Sequence, residues 1–311
     1  MIRPVAPPER SAIDHTPDRA QHWDDCDPDV RRWVEGIVSG VVEELPRPVG
    51  VYLHGSLAMG CYHRAHSDAD LLVVVDVLPT ERERRSLALR LLDVSEQRPT
   101  SAGLELSVVL RSAVEAPRHP VPYACHFSER WVADVRSGGA GPRGTDPDLA
   151  GHCAVTRHRG IALLGPEPTE VVGEVARRDL VASVLADVRD TLADGLVSTP
   201  VYGVLNACRT LHLLAHDPAP PLSKEEGGAW ALAHLPPTHR PVVADALECY
   251  RSAAEVPADL RRTHGHRWDE EALLALAAFV RDSIRSAPGN RLPRGATGAT
   301  VGPSPSGGGA A

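Results

Sequence analysis

The stretch LHGSLAMGCYHRAHSDADLLVVV, Leu53 to Val75, decides how the rest of the chain is read. A Gly-Ser turn is followed by two aspartates one residue apart, at the mouth of a run so apolar that it reads as a buried strand. Along a strand, residues i and i+2 point to one side, so Asp68 and Asp70 project together with carboxylates roughly 6–7 Å apart. At an effective dielectric near 20 their repulsion is of order 2–3 kcal/mol, before any cost of partial burial. Something cationic belongs between them. Carboxylate oxygens suit a hard divalent ion, and Mg²⁺ takes one or two protein carboxylates together with substrate phosphates. A phosphate-bearing substrate follows. Gly55 and Ser56, where a strand turns into a helix start and leaves backbone N–H groups exposed, are the candidates to cradle its phosphates. The bland alternative, two capping carboxylates in a solvated loop, fits poorly with the apolar run that begins directly after them.

Composition narrows the class. The chain has 311 residues, 42% of them hydrophobic, and its net charge is −8 from 41 acidic and 33 basic side chains. That length suggests two domains and tails. No apolar run is long enough for a membrane span, and the N-terminus lacks the apolar core of a secretory signal. The acidic balance argues against a nucleic-acid partner, which needs a basic patch, and suits a cationic one. Six scattered cysteines without C-x-x-C or finger spacing point to reduced thiols and a cytoplasmic location. Of the basic side chains only Lys224 is lysine.

The chain divides as follows. Residues 1–24 are Pro-rich, polar and without periodicity, and are expected to be disordered or loosely attached. Asp27-Pro28 opens a helix whose apolar positions, Val30 to Leu45, recur at i, i+3, i+4, i+7. Strands are expected at 49–54, 69–76 and 103–110, helices at 56–61 and from Thr80 to Val94, and a Pro/Gly-broken stretch at 116–145. A helix starting at Asp146-Pro147 and the run IALLGP close a first domain, 25–165. From 166 to 287 the pattern is helical, with helices near 176–194, 200–215, 224–234, 239–254 and 269–286, joined like a bundle. Ser223 and Glu226 have capping-box spacing. Residues 288–311 form a Gly/Pro/Ser-rich tail, expected to be disordered.

A third carboxylate stands out. Glu105 sits within GLELSVVL on the face opposite the leucines. If that strand lies beside 69–76, Glu105 reaches the aspartates as a third ligand or as the base that deprotonates a hydroxyl; the alternative is a glutamate on a wet sheet face. Histidines 54, 63, 66, 126 and 152 flank these motifs without metal-ligand spacing and read as core or surface residues.

This layout resembles the nucleotidyltransferase superfamily, and within it the streptomycin/spectinomycin adenylyltransferases among the aminoglycoside-modifying enzymes. LHGS with HSDADLLVVV resembles the family's glycine-serine and paired-aspartate motif, GLELSVVL the strand bearing its glutamate, and DPDLAGHCAV with IALLGP the end of its first domain. YGVLNACR, SKEEGGAWAL and the ECY ending at Tyr250 resemble its C-terminal helices. The resemblance implies an α+β chain: an N-terminal polymerase-beta-like α/β domain with a mixed sheet, then a helical bundle. It implies Mg²⁺ on Asp68 and Asp70, Glu105 as the base, and Arg209, Lys224 and Tyr250 lining ATP. The residues agree for two of these. Asn206 and Arg209 share a helix face, and Lys224 lies at a helix N-terminus where the dipole disfavours its charge, which implies an anionic ligand. The expected reaction is transfer of AMP from ATP to a hydroxyl of a cationic aminoglycoside or aminocyclitol. The stretch DTLADGLVSTP has no aromatic residue, where streptomycin-accepting members carry a tryptophan. Two alternatives stay open: a protein or another metabolite as acceptor, and a nucleotide-sensing module without catalysis.

Overall fold

A computed structural model describes residues 17–100, 103–257 and 259–287. The segments 1–16 and 288–311, expected to be disordered, lie outside the described residues. The elements run α1 (Pro28–Glu44), β1 (Gly50–His54), α2 (Gly55–Ala58), β2 (Ala69–Val75), α3 (Glu81–Glu96), β3 (Leu104–Leu110), α4 (Arg111–Val114), β4 (Val121–Tyr123) and β5 (Cys125–Phe127). They continue with α5 (Val132–Arg136), β6 (Gly144–Asp146), α6 (Leu149–Arg159), β7 (Ile161–Leu164) and α7 (Pro168–Val171). The helices α8 (Arg177–Ala193), α9 (Pro200–Ala215), α10 (Lys224–His234), α11 (Arg240–Tyr250) and α12 (Glu270–Ser286) complete the described residues. The architecture is the expected α+β one, a mixed sheet followed by helices.

The main sheet has strand order β5-β3-β2-β1-β7, with β2 and β3 parallel and the other pairs antiparallel. Its central strands are buried on both faces, which explains their unbroken apolar runs. Residue parity sorts the two faces. Leu71, Val73, Leu106 and Val108 pack toward α1 and α3 with Val34, Ile37, Leu87 and Leu91. Tyr52, Leu72, Val74 and Val109 pack on the other side with Leu149 and Cys153 of α6. His54, Asp70 and Glu105 share the parity of this second set, so all three point to the α6 side. On that face Glu105 is half-buried beside Asp70 rather than on an open sheet surface.

In the helical part α9 is buried nearly all round and packs against α8, α10, α11 and α12, as a helix with little polar face must. Its Val204, Leu205 and Leu211 join Val243, Leu247 and Leu276 in one apolar cluster. The Ser223/Glu226 capping box is formed: Glu226 N–H donates to Ser223 Oγ (3.0 Å) and Ser223 N–H to Glu226 Oε2 (2.8 Å). Ser223→Ala is expected to cost about 1 kcal/mol, a fall in Tm of roughly 2–4 °C, measurable by thermal denaturation.

Several sequence expectations are corrected. Residues 17–24 are not loose. Gln21 and Tyr62 exchange backbone hydrogen bonds (2.9 and 3.2 Å), and Asp18 N–H donates to Arg251 O (2.6 Å) beside a Pro17–Ser252 bridge. Asp27 does not cap α1 with its side chain, because that carboxylate is taken by Arg19, Gln21 and Arg64. The broken stretch 116–145 contains β4, β5 and α5, and β5 forms the sheet edge. The helix expected from Asp146-Pro147 starts at Leu149, since Gly144–Asp146 pairs with β4 instead. IALLGP holds β7, paired to β1, and α11 ends at Tyr250 rather than 254.

Candidate active site

The sheet register assembles the acidic centre. His54 is the partner of Asp70 across β1 and β2, and Asp70 is the partner of Glu105 across β2 and β3. In-register neighbours on one face stand about 5 Å apart, so a row of His54, Asp70 and Glu105 crosses the sheet. Asp68 immediately precedes β2, opens onto the cleft, and is oriented by Gly103, whose N–H donates to its Oδ1 (2.6 Å). Gly55 sits beneath this row with φ +64°. A Cβ there would overlap Asp70 Oδ2, so the turn admits no side chain. The first-turn N–H groups of α2 have no carbonyl partner within their own short helix.

The charges are held against their preference. Burial pushes the Asp70 carboxyl well above the usual range, and Glu105 and Asp68 push it further. Asp68 is also raised, by desolvation between the cleft walls, with the Gly103 N–H opposing. For both, the positive charge of Lys224 acts in the other direction. His54 is held neutral by burial and by His152, whose ring lies 5.1 Å away.

The opposite wall comes from the helical part. On α9, Tyr202, Asn206, Arg209 and Leu213 form one stripe toward a cavity of about 420 Å³. Arg209 Nη2 donates to Asn206 Oδ1 (2.6 Å), Asn206 Nδ2 donates to Asp187 Oδ2 (3.0 Å), and the Tyr202 hydroxyl donates to Asp187. Lys224, the first residue of α10, stands over the Tyr202 ring at 4.9 Å. Tyr250 lines the same cavity, but its hydroxyl donates to Cys61 O (3.1 Å) and ties the loop before Asp68 to α11. Gly55, Ser56, Asp68, Asp70, Glu105, Arg209, Lys224 and Tyr250 thus all border one cavity.

Sequence reading missed part of the lining. Asp148 and His152 on the α6 side, Asp187 on α8 and Tyr202 on α9 also border the cavity. Asp148 is raised to about 6 by desolvation and then by Asp187. The signal was present as helical spacing: Leu180, Ser183, Val184 and Asp187 lie at i, i+3, i+4 and i+7 on α8, and Asp148, Gly151, His152 and Val155 repeat it on α6.

Oxygen donors of this kind fit a hard divalent ion. Among the described residues no group of three or more His, Cys, Asp or Glu is arranged to hold a metal alone. Mg²⁺ bound by one or two carboxylates and substrate phosphates requires no such group.

A Gly-Ser turn, paired aspartates at the start of one strand and a glutamate in register on the next, facing a lysine and an arginine, define a nucleotidyltransferase. Residues 34–119 match the family model of the nucleotidyltransferase domain, and residues 170–268 that of the aminoglycoside adenylyltransferase C-terminal domain. The chain belongs to the aminoglycoside (3'')(9) adenylyltransferase family: it is 30% identical over 225 residues to the Klebsiella pneumoniae member, covering 68% of this chain and 82% of that one. It is 28% identical over 243 residues to a spectinomycin 9-adenylyltransferase of Staphylococcus aureus, covering 76% and 88% respectively. The fold matches the crystal structure of a spectinomycin adenyltransferase from Enterococcus faecialis with ATP and spectinomycin, with TM-score 0.67 and 16% identity over 82% of this chain and 99% of that one. All six cysteines are buried and free. No described helix is long and apolar enough to cross a membrane.

Proposed function

We propose that the enzyme transfers AMP from ATP to a hydroxyl of a cationic aminoglycoside or aminocyclitol and releases pyrophosphate, in the cytoplasm. The observation that carries this reading is the register pair Asp70–Glu105, facing Lys224 and Arg209 across one cavity. Residues 25–165 supply the carboxylates and residues 166–287 the cations. Asp68 and Asp70 would hold Mg²⁺, which supplies charge neutralisation at the α-phosphate and the leaving pyrophosphate. Gly55 and Ser56 offer backbone N–H groups to the phosphates, Lys224 and Arg209 counter their charge from the other side, and Tyr250 closes the nucleotide end. Glu105 takes the proton from the acceptor hydroxyl as its oxygen attacks the α-phosphorus in line. The bond from that phosphorus to the bridging oxygen breaks, and pyrophosphate leaves with the electron pair.

The acceptor side is acidic. Asp148, Asp187 and Glu105 border the same cavity, and carboxylates there attract an amine-bearing acceptor. The similar proteins named above, an aminoglycoside (3'')(9) adenylyltransferase and a spectinomycin 9-adenylyltransferase, support the same choice.

Incubation with labelled ATP and Mg²⁺, with and without a drug panel, tests the reading. Pyrophosphate released only with drug is the expected result. Label on the protein would point to a protein acceptor, and ATP binding without turnover to a sensing module. Lys224→Ala is expected to raise the KM for ATP about 10- to 100-fold, the loss of one charge-assisted hydrogen bond to phosphate. The KM for the drug should move less than about threefold, checked by steady-state kinetics with either substrate varied.

A further inference from the structure

Arg64 lies in the loop that delivers Asp68 to the cleft, yet it is not among the residues that line the cavity. Its guanidinium joins chain segments that are far apart in sequence. Nη1 donates to Asp27 Oδ2 (3.2 Å) and Asp29 Oδ1 (2.9 Å), while Nη2 donates to Asp29 Oδ2 (2.6 Å) and to Pro99 O (2.8 Å). Its own backbone N–H donates to Asp18 Oδ2 (3.1 Å). The fork on Asp29 is bidentate, a geometry that lysine cannot reproduce.

Two of the residues that meet here, Arg64 itself and Pro99, lie close in sequence to the two partners of the Asp68–Gly103 hydrogen bond. On one side Arg64 leads into Asp68 itself. On the other side Pro99 stands four residues before Gly103, whose N–H holds Asp68 Oδ1 and whose carbonyl accepts from Ala69 N–H (3.0 Å). From these contacts we infer that Arg64 is a positioning residue for Asp68, a clamp that fixes both partners of the Asp68–Gly103 hydrogen bond against the start of α1. The inference rests on the reading of Asp68 as a metal-binding carboxylate.

A purely structural role explains the clamp less well. Half-exposed ion pairs contribute little to global stability, and Arg64 and Asp29 are 34% and 38% exposed. The start of α1 is already seated by Val30, Trp33 and Val34, which are buried in the main cluster. Site geometry is more demanding than fold stability: a bound ion needs its carboxylates within about 0.5 Å of the productive position. Asp29 is drawn down to about 2 by its hydrogen bonds with Arg64, so the pair stays charged through the working pH range.

The test uses the full chain as Arg64→Lys and, from the other partner, Asp29→Asn. Mn²⁺ affinity is read by electron paramagnetic resonance with a non-hydrolysable ATP analogue, and amide exchange is read at Ala69 and Gly103. Arg64→Lys is expected to weaken Mn²⁺ about 10-fold, to lower kcat by a similar factor, and to speed exchange at both amides at least about 10-fold. Binding of the analogue without metal and the KM for the acceptor should change less than about twofold, and Asp29→Asn should reproduce the pattern. Unaltered Mn²⁺ affinity and exchange in both variants would overturn the clamp, as would losses that merely follow a lowered Tm. Should the parent protein bind no Mn²⁺, the metal reading of Asp68 fails, and exchange at Gly103 alone then decides whether Arg64 fixes the loop.

Discussion

Asp70→Asn is expected to cut turnover about 10³-fold or more while leaving the fold more stable when no divalent ion is present. The side chain is isosteric and keeps its place opposite His54 and Glu105, but it loses the charge that a metal-bound triphosphate requires. Loss of that stabilisation is expected to lower kcat about 10³-fold or more, equivalent to about 4 kcal/mol. The stability effect has the opposite sign. Asp70 is raised in the folded state by burial, Glu105 and Asp68, so the folded chain holds a proton there that the unfolded chain releases near its ordinary carboxylate pKa. Its contribution is therefore fully present below that ordinary value and is lost as pH rises through the folded one. At neutral pH asparagine relieves the strain. Thermal scans from pH 4 to 8 in chelator should show a higher Tm for the variant, with its gap from the parent widening as pH rises. A variant that keeps turnover, or that loses Tm across the whole range, removes Asp70 from the centre of the reaction.

Gly55→Ala is the second large effect, and it acts through a methyl group. A left-handed backbone costs a residue with a Cβ about 1–2 kcal/mol, which the fold tolerates. The new Cβ, however, occupies the position of Asp70 Oδ2. Either that carboxylate turns away or the turn opens, and displacement by about 1 Å is enough for a 10²-fold loss. The expected result is kcat lowered about 100-fold, with Tm lower by only a few degrees. Comparison of kcat and Tm in one preparation checks it, and near-parental kcat would show that the Asp70 carboxylate need not face the turn.

Local pattern carried much of this site. D-x-D before an unbroken apolar run, and a lone glutamate in the next strand, are visible because charged residues seldom enter strands. Register was not visible. That Asp70 stands opposite Glu105, rather than one residue off and on the other face, depends on hydrogen bonds between strands separated by α3 and two loops. The three-residue strands β4 and β6 are too short to show alternation, and because Asp146 belongs to β6, the Asp-Pro pair that looked like a helix start is spent on a strand end. Asp148, at the true N-cap position, was therefore passed over. Asp187 was hidden for another reason: α8 has a weakly apolar face, so its sequence does not say which stripe meets α9.

The pairing of Pro17 with Ser252 and of Gln21 with Tyr62 reaches beyond the N-terminus itself. A chain trimmed to begin at residue 25, the boundary suggested by composition, would discard the segment that joins the loop before Asp68 to the end of α11. N-terminal fusions or shortened versions therefore disturb backbone pairing on the aspartate loop as well as the chain end.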